Sequence, residues 1–455
     1  MNHAVFRYSL AFALVFAWHA IPPNSLAQLV MDNLTAWHSA SDDKKTAPGP
    51  STSEPDASLS LEWARAAAIS RHPAIAATRE EILAREGAAQ QAGLWRNPSL
   101  FGEIEEFGGS GDFSGTDSMS SRIGISQEFS LGGKLSKRWQ EAKTAVRIAE
   151  LEHLLKINEI TALVEKRFFE VFTLQERLRL QTEQFDFIRK THEVVAKRIQ
   201  AGDTSPLDLA RSRIELATAK IAIEQTRNEL ETSRYALAVL WGSEVPGFSR
   251  VSAQFRAAPE TTLEKLREAL QHGPAWLLQD KLLAQAGAAL SMAERQGLPD
   301  LELAGGFQQF NESDDHAFFL GLSIPLPLFD RNQGGIAEAQ AMKRRARHEK
   351  ETAALSLHLE LQEAWSRLLS ARLAVQAFES EVLPAAQQAY DSIGKAYKTG
   401  EMDILGLLDT QRTWVETRLA HLILLHELEN SRIEIKRLIG EEESFPAAAN
   451  DNSTN

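Results

Sequence analysis

The sequence predicts a mainly α-helical fold with a small β part, built from one unit that occurs twice. Three observations predict it. Residues 196–242 lie on residues 394–440 without a gap, at an offset of 198. Gly202 falls on Gly400, Leu207 on Leu405, Leu209 on Leu407, Glu229 on Glu427, and Ser233-Arg234 on Ser431-Arg432. A repeat of this kind sets the architecture before any single element is read. Residues 133–200 contain no Pro and no turn cluster, and Ile160, Leu163, Val164, Phe168, Val171 and Phe172 keep helical spacing. Each half also carries two alternating apolar runs around a polar loop, the pattern of a β-hairpin.

The elements follow in order. Residues 1–27 read as a signal peptide: Arg7, an apolar run from Leu10 to Trp18, then Ser25-Leu26-Ala27 at the cleavage site. Residues 28–58, rich in Ser, Asp, Pro and Thr, read as a flexible linker. Residues 59–242 form the first structural repeat. Its opening helical stretch breaks at His72-Pro73, because proline fits the first turn of a new helix. Asn97-Pro98 stops that helix, and a hairpin follows with Leu100, Gly102 and Ile104 on one face and Glu103 and Glu105 on the other. A helix of roughly 100 Å then runs to a turn at Gly202 and returns from Pro206. Residues 243–260 read as a linker, and residues 261–440 repeat the unit. Leu263-Glu264 answers Leu61-Glu62, Pro274 answers Pro73, and Gly321-Leu322-Ser323 answers Gly124-Ile125-Ser126. The second long helix is interrupted near Pro384. Residues 441–455 read as a disordered tail.

Composition removes several function classes. The formal net charge is −13 and there is no Cys. An acidic chain argues against nucleic acid as a partner, and the lack of Cys removes thiol chemistry and Cys-based zinc sites. Gly132-Gly133-Lys134 is not a phosphate loop, since Glu128 stands where its first Gly belongs. His192-Glu193 and His426-Glu427 have no second His at zincin spacing. No pairing of acid, base and nucleophile appears, so the expectation is a non-enzyme with no cofactor and no resident metal site. At the two turns the polar candidates are Asp208, Tyr397 and Asp409, beside the tip glycines Gly202 and Gly400. Acidic residues at a helix start favour the macrodipole whatever else they do.

Apart from the leader, no apolar run reaches the ~20 residues that a membrane helix needs. Four strands cannot close a barrel, which needs about 8, and an open sheet in lipid leaves unpaired edges. If the hairpins are membrane strands, several subunits share one barrel and the long helices ring a tube. A soluble periplasmic coiled-coil adaptor is the competing architecture.

The segments Gly124-Ile-Ser-Gln-Glu-Phe-Ser-Leu-Gly-Gly-Lys134 and Gly321-Leu-Ser-Ile-Pro-Leu-Pro-Leu-Phe-Asp-Arg-Asn-Gln-Gly334 carry a family resemblance. His72-Pro73-Ala74 and Leu408-Asp409-Thr410-Gln411-Arg412 add to it. With the repeat, they resemble the TolC-like outer-membrane efflux factors, and within these the CzcC-type heavy-metal branch. The resemblance implies long α-helical hairpins forming a periplasmic tunnel, plus four membrane β-strands per subunit in a barrel of about 12 strands shared by a homotrimer. It implies a passive exit duct in the outer membrane, partnered by outer-membrane lipid, a periplasmic adaptor (membrane fusion) protein and an inner-membrane proton-driven pump of the resistance-nodulation-division type. The same duct could serve multidrug efflux or type I protein secretion. It also implies a gate link between Tyr397 and Asp208, and an acidic tunnel ring at Asp409. The family's second ring position is Gly406 here, and its gate arginine is Met402.

Overall fold

The computed structural model describes residues 58–200, 205–256, 261–399 and 404–440. The leader, the tip glycines Gly202 and Gly400, and the tail lie outside the described residues.

Two short helices open the chain, α1 (Leu61–Arg71) and α2 (Pro73–Ala92). Ser60 caps α1 through the Trp63 amide, and His72 caps α2 through the Ala74 amide with Pro73 in the first turn. Helix α3 (Lys134–Gln200) holds 67 residues, about 100 Å at helical rise. Helix α4 (Pro206–Ala238) returns along it. The second half repeats this with α5 (Leu263–His272), α6 (Pro274–Gln296), α7 (Gln333–Ala377), α8 (Leu383–Thr399) and α9 (Ile404–Ile439).

The break expected at Pro384 is milder than a break. Residues Phe378–Val382 form a π-turn that carries α7 into α8. Pro384 has no N–H for the carbonyl four residues back, and widening the turn absorbs the loss.

The strands are β1 (Ser58–Leu59), β2 (Ser99–Glu105), β3 (Ser120–Phe129), β4 (Arg250–Val251), β5 (Leu301–Phe310) and β6 (Asp315–Ser323). The two hairpins join into one antiparallel sheet of order β2-β3-β5-β6, with Gly124 opposite Gly306. Residues 243–260 are more than a linker. Arg250–Val251 pairs in parallel with Ser58–Leu59, the end of the other stretch read as a linker, and Leu59, Phe248 and Val251 are buried together. The Gln175 side chain completes this patch by bonding both the N–H and the carbonyl of Val251, at 2.8 and 3.0 Å. Two-residue strands carry no readable period, so sequence patterning passes over them.

Apolar clusters hold each repeat together. Ile160, Val164, Phe168 and Val171 of α3 pack on α1 and the end of α4. Leu361, Leu368 and Val375 of α7 pack on α5 and α9. The seam between repeats runs along α3 and α9. There Ala162 and Phe169 meet Ile433, and a group of buried charges joins them. Glu165, 2% exposed, accepts from Lys436 at 3.1 Å and faces Arg65 at 3.5 Å and Arg432 at 3.9 Å. Burial pushes the Lys436 ammonium below its usual range; Glu165 opposes this, while Arg65 and Arg432 add to it. Burial would raise the neighbouring Glu434 carboxyl, but Lys166 and Arg437 outweigh that and hold it low.

His426 lies on the same seam. Its Nδ1 sits 3.1 Å from Thr173 Oγ1 and its Nε2 2.9 Å from Asn430 Nδ2. Burial lowers its pKa below the ordinary 6.5, against the pull of Glu170, Glu427 and Glu429. A depressed histidine contributes stability that is fully present above the unfolded value and is lost as pH falls below it. The melting temperature is therefore expected to drop as pH falls through 6.5, and His426→Asn should flatten that drop. Equal pH slopes in both proteins, read by thermal unfolding, would remove His426 as the cause.

Candidate functional site

Two places gather residues suited to passing solute: the sheet, and the helix ends around the tip. The pleat of the sheet separates its side chains into two unlike faces. On one stand Leu100, Ile104, Ile123, Ile125, Leu303, Phe318, Leu320 and Leu322, all exposed, with Phe318 and Leu320 at 86 and 87%. Strands of 9 and 10 residues span about 30 Å, and tilted they match an apolar band of about 25 Å. An apolar face this continuous belongs in lipid.

The opposite face is polar and internally tied. Arg122 bonds Glu103 at 3.0 Å and Gln308 at 3.4 Å, and its guanidinium lies 5.0 Å over the Phe319 ring. Phe101 and Phe319 lean in from the outer strands, ring centres 6.0 Å apart. Room for these rings comes from Gly124 and Gly306, where a Cβ would strike ring atoms and neighbouring backbone. With Glu128 and Glu302 on the same side, this face suits water.

The tip is held by an apolar knot: Val195 of α3 with Ile404 and Leu407 of α9, and Leu209, Ile393 and Tyr397 around them. Ser205 caps α4 through the Leu207 amide, and Asp208 sits in its first turn. Tyr397 packs in the knot with Arg198 5.2 Å over its ring, but its buried hydroxyl has no hydrogen-bond partner. The Tyr397–Asp208 link implied by resemblance is therefore not formed within this chain. The ring is turned into the knot, so packing places the phenol, and Arg198 from α3 sits on its face. Asp409 is exposed and bonds Arg412 at 2.8 Å, while Arg412 also reaches toward Glu215 at 3.8 Å and Glu416 at 3.9 Å. Sequence reading named Asp409 without its counter-ion, although the i+3 spacing to Arg412 signals it. Nothing local in the sequence signals Arg198 on Tyr397. Among the described residues no group of three or more His, Asp or Glu could hold a metal ion, and no helix is long and apolar enough to cross a membrane.

The sequence profile of the outer membrane efflux protein family matches residues 65–243 and 266–441. The chain belongs to that family. It is 29% identical over 383 residues to the cobalt-zinc-cadmium resistance protein CzcC of Cupriavidus metallidurans, covering 84% of this chain and 90% of CzcC. To the nickel-cobalt-cadmium resistance protein NccC of Alcaligenes xylosoxydans xylosoxydans it is 22% identical, covering 59% of this chain and 60% of NccC. Among solved structures, that of CusC superposes with a TM-score of 0.69 at 18% identity, over 83% of this chain and 91% of CusC. The fold is thus that of the TolC-like channels, a helical tunnel joined to a β-barrel. This efflux protein is an outer-membrane channel that extends into the periplasm, and it is not an enzyme. The exposed apolar face of its sheet is the side fitted to lipid.

Proposed function

We propose that this channel is the exit duct of a tripartite efflux system for heavy-metal cations. It would assemble as a homotrimer whose sheets close one barrel, and would receive its cargo from an inner-membrane proton-driven pump through a periplasmic adaptor. The observation that carries the duct reading is the two-faced sheet with both edges, β2 and β6, open in the single chain. Open edges in lipid leave backbone groups unsatisfied, and further copies supply their partners. The metal cargo rests on likeness to the cobalt-zinc-cadmium and nickel-cobalt-cadmium resistance proteins. Acidic Asp409 at the tip suits it, since an anionic ring favours cation passage. Gate roles for Asp208, Tyr397 and Asp409 belong to the same proposal, with Arg198 over the Tyr397 ring and Arg412 bonded to Asp409.

A strain lacking the gene is expected to lose tolerance to one or two of cobalt, zinc, cadmium, nickel, copper and silver. Its tolerance of hydrophobic drugs should hold. Lost drug tolerance with unchanged metal tolerance would overturn the metal cargo and leave the duct standing.

A further inference from the structure

Helices α1, α3 and α9 enclose a cavity of about 350 Å³ on the seam between the repeats. Spacings of three and four put its walls on single helix faces: Arg65 and Ile69 of α1, Ile157 and Thr161 of α3, Ile433 and Lys436 of α9. Small-molecule sites have volumes of ~300–1,000 Å³ and combine apolar walls with a few converging polar groups.

One end is polar. Glu165 accepts one N–H of Lys436 at 3.1 Å, and the ammonium carries two more with no partner among the described residues. Thr161, nine-tenths buried, stands on the same wall, and neither its hydroxyl nor the buried amide nitrogen of Asn158 has a hydrogen-bond partner among the described residues. Thr173 and Thr182 of the same helix give their hydroxyls to the carbonyl four residues back; Thr161 does not. Buried donors left unpaired are costly, so donors gathered at one cavity mark a place for an acceptor. Arg65 adds positive charge to this wall, while Arg437 is committed to Glu434 and Glu360. Cations on the wall outnumber the Glu165 carboxylate, and their field favours an anion. The other end is apolar and open. Ile157 and Leu154 continue the wall, and Leu154, 44% exposed, lies roughly 16 Å along α3 from Glu165.

We propose that this cavity binds an aliphatic monocarboxylate, a fatty acid of short chain, with its carboxylate on Lys436 and Thr161 and its chain along Ile157 and Leu154. The carboxylate supplies the acceptors that these donors lack. A single negative charge suits the end better than a double one, because Glu165 already shares it. Burial holds the Lys436 ammonium below its usual range, and a second carboxylate beside it opposes that. The bound acid touches α1 and α3 of the first repeat and α9 of the second, so it pins the seam. Gly440 lines the same cavity, and Glu441, Glu442 and Glu443 follow it in sequence as a second source of carboxylate.

Full-length channel in lipid nanodiscs, titrated with hexanoate against empty nanodiscs, is expected to show saturable binding by calorimetry. Its melting temperature should rise with hexanoate concentration. Acetate, which lacks the chain, and hexylammonium, which reverses the charge, should do neither at equal ionic strength. Lys436→Gln should weaken hexanoate at least tenfold. Thr161→Val should weaken it about fivefold, while the melting temperature without hexanoate holds or rises, because the variant removes an unpaired buried hydroxyl. This second variant keeps the test open where Lys436→Gln fails to fold. No saturable binding overturns the site, and an equal effect of acetate overturns the role of the apolar wall. A Thr161→Val protein that binds as tightly as the parent overturns the placing of the carboxylate. Glu441→Gln, Glu442→Gln and Glu443→Gln together should leave hexanoate affinity unchanged. A tenfold gain would assign the site to the chain's own glutamates and overturn the free ligand.

Discussion

Gly306→Val is expected to abolish the assembled barrel. Gly306 stands opposite Gly124 at the centre of the sheet and pairs with Phe319 on its other side. A Cβ there would fall on the Ile123 carbonyl and the Gly124 Cα, and 2.8 Å from the Phe319 ring. Ordinary overpacking costs ~1–3 kcal/mol because side chains give way. Here the obstacles are backbone atoms of the neighbouring strand, so the β3–β5 ladder has to open. That ladder is the strand pairing that joins the two hairpins, and its loss breaks the shared face on which Arg122 and Phe101 meet Gln308 and Phe319. The contrast is Gly321→Ala, whose added carbon meets Ala304 Cβ at 3.7 Å, an ordinary contact. Gel mobility of unheated outer-membrane fractions reads both variants. Gly321→Ala should run as the assembled channel and Gly306→Val should be absent from that band. An intact Gly306→Val oligomer would show that the sheet accommodates a side chain at this crossing, and the tight packing of β3 on β5 would be wrong.

Much of this architecture was legible because it is periodic. The 67-residue α3 and the four long strands announce themselves through runs of apolar residues at period 3.6 or 2. The repeat made each half a test of the other. What escaped was short or non-local. β1 and β4 hold two residues each, and their closure depends on Gln175, 76 residues away in sequence from the Val251 it bonds. Pro384 correctly marked a disturbance, yet whether a helix breaks or widens depends on neighbours that hold it straight. At the tip, residue types pointed to Asp208, Tyr397 and Asp409, but orientation did not follow from type. The phenol of Tyr397 turns into an apolar knot, and Asp409 takes a cation one turn away on its own helix. The charges around Glu165 carry no signal in the sequence that sets them apart from exposed ones; the approach of α1, α3 and α9 buries them.

Those charges carry the second large effect. Glu165→Ala is expected to cost about 3–5 kcal/mol, because it takes away the carboxylate that Lys436 bonds at 3.1 Å, in a site where Glu165 was 2% exposed and where Arg65 and Arg432 add positive charge. Exposed pairs elsewhere on the helices, such as Arg85 with Glu81, are worth about 0–1 kcal/mol and set the contrast. The chain also indicates the repair. At the equivalent places, 197 residues after Glu165 and 198 before Lys436, stand Gln362 in the second half and Ala238 in the first, with Arg267 bonding the Gln362 amide. Glu165→Gln combined with Lys436→Ala copies that solution: the amide oxygen still faces Arg65, and the ammonium that needed the carboxylate is gone. The double variant should therefore be far more stable than the sum of its single changes predicts, with a coupling of about 0.5–3 kcal/mol, as for residues in direct contact. Unfolding of the channel in denaturant, run on all four corners of this cycle, measures it. Additive losses would mean that Glu165 and Lys436 act on separate neighbours. The seam between the repeats would then be held by the apolar trio of Ala162, Phe169 and Ile433, with the charges contributing little.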